Sequence, residues 1–244
     1  MKRAKSMVMA AVALALACGQ GASDGSAKLD PASRQAEWAA LEAQKRQLDA
    51  KREELASLRQ QASAGTDVTA SLGSTNDQVT QLSDELGARL AAYINADPLV
   101  VGEPIKPEQQ AAIRMKSSED MAIAREFIEL GGDYRRALDI YNQALSIDPD
   151  NPALKAAVAD AEAKRFMNAE RFAAIRKGMT EADVIAALGR PLGRNIRDYP
   201  EKKVSAWFYP KNDAGEAAGV FFNDKKTVYS TDFDAVKRTD LGGR

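Results

Sequence analysis

Apolar residues return along this chain at two periods, and the change from one to the other divides it. As far as residue 189 they recur every three or four positions, as on an amphipathic helix; beyond residue 203 they alternate, as in a half-buried strand. Within residues 35–61, a charged stretch without Pro or Gly, Trp38, Leu41, Leu48 and Leu55 lie on one helical stripe. The leucines repeat every seven residues like coiled-coil d positions, with Lys45 and Arg52 at the intervening a positions. So narrow a stripe suits a solvated helix, a marginally self-associating one or one that pairs with a partner helix. Residues 63–76, with Gly65, Gly73 and a run of Ser, Thr and Asn, predict a break. A second helix follows, capped by Asn76 or Asp77 and carrying Val79, Leu82, Leu86, Leu90 and Tyr93; the two fold back as a hairpin. Pro98, Pro104 and Pro107 then mark a linker over residues 96–106.

Residues 107–130 are helical in composition. A turn at Gly132 and Asp133 leads to a helix that Pro149 stops, and Asp150, Asn151 and Pro152 cap the next. That next helix carries Leu154, Val158, Ala161, Phe166, Phe172 and Ile175 on an interrupted stripe. Gly178 then breaks it, and Thr180 caps a short helix with Asp183 three residues on, an acidic variant of the capping box. Val184, Ile185 and Leu188 share one face of that helix, Gly189 ends it and Pro191 prevents its continuation. Three strands are predicted at residues 204–209, 217–222 and 227–233, the last two joined by a turn at residues 223–226. Trp207 and Tyr209 share one strand face, as do Val220 and Phe222; they serve as core or, less readily, as ligand contacts. The fold class read from this pattern is a mainly α N-terminal and central part followed by a small α+β domain, two helices on a three-stranded antiparallel sheet.

The N-terminus changes this picture of a purely soluble chain. Lys2, Arg3 and Lys5 precede an eleven-residue apolar run, residues 7–17, which ends at Cys18, the only cysteine. A spanning helix needs about 20 apolar residues, so this run is read as a cleaved export signal. An ordinary secretory signal cut near residues 15–17 and a buried core helix are the other readings of these residues. The cysteine directly behind the run resembles a bacterial lipoprotein signal, which implies cleavage before Cys18 and lipidation of its sulfur. Gly19, in place of the aspartate that retains many lipoproteins at the inner membrane, implies the outer membrane and a periplasm-facing chain. Residues 18–34, rich in Gly, Ser, Ala and Asp, then form a flexible tether.

Cleavage before Cys18 leaves 227 residues, with Lys+Arg falling from 34 to 31 against 35 Asp+Glu. This mild acidity provides no field for nucleic acid. The chain has no histidine, and its one cysteine is assigned to lipid; a Ser-His-Asp triad, thiol catalysis, Cys/His zinc sites and a disulfide are thereby excluded. Carboxylates are the remaining catalytic candidates. The closest pair, Asp148 and Asp150, lacks the further oxygens and glycine of a calcium loop. No catalytic residue, metal or cofactor is expected.

Two further segments resemble known families. Residues 131–152 resemble the second half of a tetratricopeptide repeat: Gly132 in the turn, then Tyr134, the small Ala137 and Ala144, Tyr141 between them, and Pro149 at the stop. One clear repeat is present, so its neighbours must come from the helices before Pro98 and after Pro152, and its groove either binds a peptide or is packing scaffold. Gly178, Met179, Thr180, Val184, Leu188, Gly189, Pro191, Trp207, Tyr209, Val220 and Phe222, over about sixty residues, resemble the SmpA/OmlA (BamE-like) family. That resemblance implies a protein-interaction and lipid-proximal scaffold of the outer-membrane β-barrel assembly machinery, without enzyme chemistry. The expected organisation is a signal peptide (1–17), tether (18–34), helical spacer (35–95), linker (96–106), tetratricopeptide-like region (107–170), SmpA/OmlA-like domain (171–236) and disordered tail (237–244). The expected function is a non-enzymatic, acyl-anchored adaptor for outer-membrane protein assembly or envelope maintenance. Protein partners in the envelope, the membrane through the acyl chains and weak self-association are its expected contacts. The alternatives are a coiled-coil and tetratricopeptide factor coordinating wall synthesis with outer-membrane constriction, and a secreted inhibitor of similar fold.

Overall fold

The computed structural model describes residues 30–100 and 102–237; the signal, Cys18 and most of the tether and tail lie outside the described residues. Among the described residues the helices are α1 (Pro31–Ser63), α2 (Thr69–Asn95), α3 (Pro107–Gly131), α4 (Tyr134–Ile147), α5 (Pro152–Arg165), α6 (Ala169–Phe172) and α7 (Glu181–Leu188). Four strands follow: β1 (Ile196–Tyr199), β2 (Val204–Pro210), β3 (Ala217–Phe222) and β4 (Val228–Val236). A mainly helical part followed by an α+β domain is the observed fold class.

α1 begins inside the segment assigned to the tether. Asp30 accepts hydrogen bonds from the Ala32 and Ser33 amides at 3.0 and 3.1 Å, and Pro31 takes the first helical position, where its missing N–H costs nothing. α2 also starts early, at Thr69, so Gly73 and the polar run to Asn76 are helical. Tertiary packing overrides propensity here. Thr75 is buried with its hydroxyl 3.2 Å from Glu54 Oε1, and Leu72 packs on the hairpin core. That core joins Leu41, Leu48 and Leu55 to Val79, Leu86, Leu90 and Tyr93, and Ala112 and Met115 of α3 close it. A second core joins Ala124 of α3 to Ala137, Leu138, Tyr141 and Ala144 of α4 and Leu154 and Ala161 of α5. α3 therefore belongs to both cores, one along its first half and one along its second. The neighbours that a lone repeat needs are α2 and α5.

The helix from Pro152 does not run on to residue 177. It stops at Arg165, and the Met167 amide donates to Pro210 O of β2 at 2.7 Å before α6 restarts at Ala169 under an Asn168 cap. The sheet is an antiparallel meander in the order β1-β2-β3-β4, one strand more than expected. β1 escaped the pattern because its residues Arg197, Asp198 and Tyr199 are exposed on an edge, and pairing with β2, Ile196 opposite Trp207, supplies what periodicity did not. β4 is the other edge, shifted past a bulge opposite residues 221–222, which lets Ser230 and Asp232 stay exposed or half-buried. The inner sheet face packs Trp207, Tyr209, Val220, Phe222 and Val228 against Phe172, Ile175, Val184 and Leu188.

Candidate functional site

Most of the motif residues do structural work, and several meet at one joint between the second helical core and the α+β domain. Gly132 ends α3 in the left-handed region at φ 65°, its amide donating to Ile128 O and the Asp133 amide to Phe127 O, both at 2.9 Å. Its missing side chain admits the loop after α7: a Cβ there would meet Arg190 O at 2.2 Å and Pro191 C at 2.7 Å. Tyr134 stands beside Gly189, and Tyr209 donates its hydroxyl to Gly189 O at 3.1 Å. Burial raises both phenol pKa values, and for Tyr209 the neighbouring Tyr134 adds to the rise, so both phenols are neutral at neutral pH. Arg171 of α6 donates to Lys164 O at 3.0 Å and Leu188 O at 3.1 Å, tying the ends of α5 and α7. Arg165 adds a 2.8 Å ion pair to Asp213. Residues from the 131–152 and 178–222 segments thus meet through Gly132, Tyr134, Gly189, Pro191 and Tyr209, a juxtaposition across 55 residues or more that spacing does not reveal.

The remaining motif residues divide between cores and caps. Ala137, Tyr141 and Ala144 are buried between helices, whereas Pro149 is exposed just past the end of α4. Gly178, at φ 88°, and Met179 pair with the start of β4, the Gly178 amide donating to Val228 O and the Val228 amide to Met179 O, each at 2.8 Å. Thr180 caps α7 reciprocally with Asp183, the Thr180 amide lying 2.8 Å from Asp183 Oδ2 and the Asp183 amide 3.2 Å from Thr180 Oγ1. Val184, Leu188, Trp207, Val220 and Phe222 are buried in the inner core. Asp148 and Asp150 are not a pair. Asp148 is buried, accepting from Asn151 Nδ2 at 2.8 Å and Ser117 Oγ at 3.3 Å beside Arg114, while Asp150 faces solvent. Asp148 thereby locks the α4–α5 turn to α3.

Two ionic features were absent from the sequence reading. Lys45 Nζ and Arg52 Nη2 of α1 reach Glu119 of α3 at 3.2 and 2.9 Å, so the a-position cations face a buried carboxylate. Asp120, next to a small cavity between α2, α3 and α4, pairs with Lys116, and burial raises its pKa against that cation. No group of three or more His, Cys, Asp and Glu side chains is gathered as metal ligands among the described residues, and no described helix is long and apolar enough to cross a membrane.

Among the described residues, exposed or half-buried apolar side chains gather on the outer sheet face and on the α2–α3 connection. On the outer sheet face Phe208 lies edge-on to Phe221 at 6.2 Å between centroids, and Phe221 lies 6.4 Å from Tyr229. The strand alternation that sends Trp207 and Val220 inward sends Phe208 and Phe221 outward, so this ladder was legible in the sequence. The second surface is the α2–α3 connection, where Pro98, Leu99, Val100, Pro104 and Ile105 line a cavity of about 260 Å³. Comparison of the chain with protein-family models, curated proteins and solved structures returns no match.

Proposed function

We propose that the chain is a non-enzymatic, acyl-anchored outer-membrane lipoprotein, a periplasm-facing adaptor in outer-membrane protein assembly or envelope maintenance. The reading rests on the signal-like N-terminus ending at Cys18 and on the tetratricopeptide-like and SmpA/OmlA-like motifs. The structural observation that supports it most is α3. Its 25 residues, at 1.5 Å each, separate the end where α1 begins from Gly132 by about 37 Å. Arg34, one turn into α1, lies 3.7 Å from Asp97 at the start of the α2–α3 connection, and the α+β domain is seated on Gly132. A tether at one end and an interaction module at the other suit an adaptor, because an acyl anchor raises the effective concentration of a weak surface near its partner. The aromatic ladder of Phe208, Phe221 and Tyr229 is the surface assigned to that partner. The leucine stripe of α1 packs within the chain on α2, so it lends no support to the wall-synthesis alternative.

A photo-crosslinking residue at Tyr229 in living cells, followed by isolation in mild detergent, tests the reading. A barrel-assembly or other envelope protein is expected in the adduct. Recovery of the chain alone, from Tyr229 and equally in mild-detergent co-purification, overturns it. Cys18→Ser is expected to move the protein from the membrane to the soluble fraction.

A further inference from the structure

The α2–α3 connection is braced at its two ends, and between them its described residues turn aliphatic side chains to solvent. Gln109, itself buried, donates through Nε2 to Asp97 O at 3.0 Å and accepts from the Lys106 amide at 2.9 Å, bracing both ends of the connection. Against this brace Leu99, Val100 and Ile105 remain 45, 55 and 48% exposed, half of the large exposed hydrophobics among the described residues. None of the three belongs to any of the hydrophobic cores. The nearby charge is largely compensated: Asp97 pairs with Lys106 at 2.9 Å and with Arg34 at 3.7 Å, leaving Glu103 beside the patch.

What gives the patch an occupant is where α1 begins. Asp30 caps α1, Arg34 lies over the Tyr93 ring at 4.1 Å and reaches Asp97, so the start of α1 and the connection share one end of the molecule. Between Cys18 and Asp30 lie only residues 19–29, which extend to at most about 40 Å. We propose that Leu99, Val100 and Ile105 form a second membrane contact, dipping into the phospholipid surface to which Cys18 is anchored. This rests on the acyl-anchor reading for its proximity. Three half-exposed aliphatic groups are too few to hold a free protein on a bilayer, but a short tether makes the encounter intramolecular, and the contact then fixes the orientation of the protein. α3 would leave the membrane at a set angle, carrying the α+β domain outward. Because the contact is apolar, it is insensitive to salt.

The test couples the chain from Cys18 onward through that thiol to a maleimide-bearing phospholipid in phosphatidylethanolamine–phosphatidylglycerol vesicles, so its outcome does not depend on acylation in cells. The mass of the N-terminal peptide from cells reports acylation separately. In a Val100→Trp variant, lipids bearing a nitroxide at a shallow acyl position are expected to quench the added fluorescence at least twofold relative to the parent, in low and high salt alike. Leu99→Ser with Ile105→Ser on that background is expected to abolish the quenching. In the unsubstituted anchored chain, amide exchange at Leu99 and Val100 is expected to slow severalfold with vesicles, which covers a variant that folds poorly. Absence of both quenching and slowed exchange overturns the proposal. So does a Val100→Trp signal that changes with protein concentration without lipid, which would assign the patch to a second copy of the chain.

Discussion

Gly132 meets two constraints at once, a left-handed backbone and a carbonyl where a side chain would stand. Gly132→Ala is expected to lower stability by at least about 2 kcal/mol, from the left-handed penalty and from the clash with Arg190 O, which is backbone and cannot swing aside. Thermal unfolding followed by circular dichroism checks it, and an unchanged midpoint would remove the joint from the account. Asp120 makes the opposite prediction. Burial raises its pKa in the folded chain above the unfolded value, so the folded state holds the proton more tightly and the ionised carboxylate costs stability at neutral pH. Stability from this group therefore rises as pH falls through the raised pKa toward the ordinary carboxylate value. Asp120→Asn should stabilise at pH 7, with a gain that shrinks as pH falls through that window; denaturant melts at several pH values decide it.

At the scale of elements, α1 shows how the same residues read differently once a third helix is present. Lys45 and Arg52 at a positions weaken a two-stranded coiled coil, and as a pattern they argued for a solvated or marginally associating helix. In the structure Glu119 of α3 lies against both, so the cations specify where α3 packs. Its carboxylate is held by charge at short range without well-aligned hydrogen bonds. Glu119→Ala is expected to cost about 1–2 kcal/mol, since Lys45 and Arg52 lose their buried partner but keep the exposed Asp49. Replacing all three with Met or Leu is expected to restore most of the loss or to exceed the parent stability. Urea melts of the single and triple variants test this, and a harmless Glu119→Ala would show that the contact specifies nothing. The early start of α2 and the extra strand β1 have a related cause, each completed by a partner distant in the sequence, Glu54 for α2 and Trp207 for β1, whereas α1 starts at a local signal, the Asp30 cap and Pro31.

Across the whole molecule, three cores are threaded rather than separate. α3 divides its length between the first two, and the Gly132 joint, Arg171 and the Arg165–Asp213 ion pair fasten the third to the second. Regions sharing such contacts open together. Hydrogen exchange is therefore expected to show α3 to α5 and the sheet losing protection as one unit. Gly132→Ala should split this into two, with the sheet opening independently; two separate openings in the parent chain would show that the joint does not couple them.

Periodicity, capping residues and the Pro and Gly punctuation were enough to determine the helical hairpin, the turn at Gly132, the Thr180–Asp183 cap and the inward face of the sheet, because each depends on residues within a few positions of one another. The signal-like run to Cys18 is likewise a local pattern. Tertiary structure alone decided the rest: the Glu119 partnership, the burial of Asp148, the meeting of Gly132 with Arg190, and the grouping of the start of α1 with the α2–α3 connection. Those contacts join positions many tens of residues apart, and their energies arise from desolvation and close approach, quantities that no local spacing encodes.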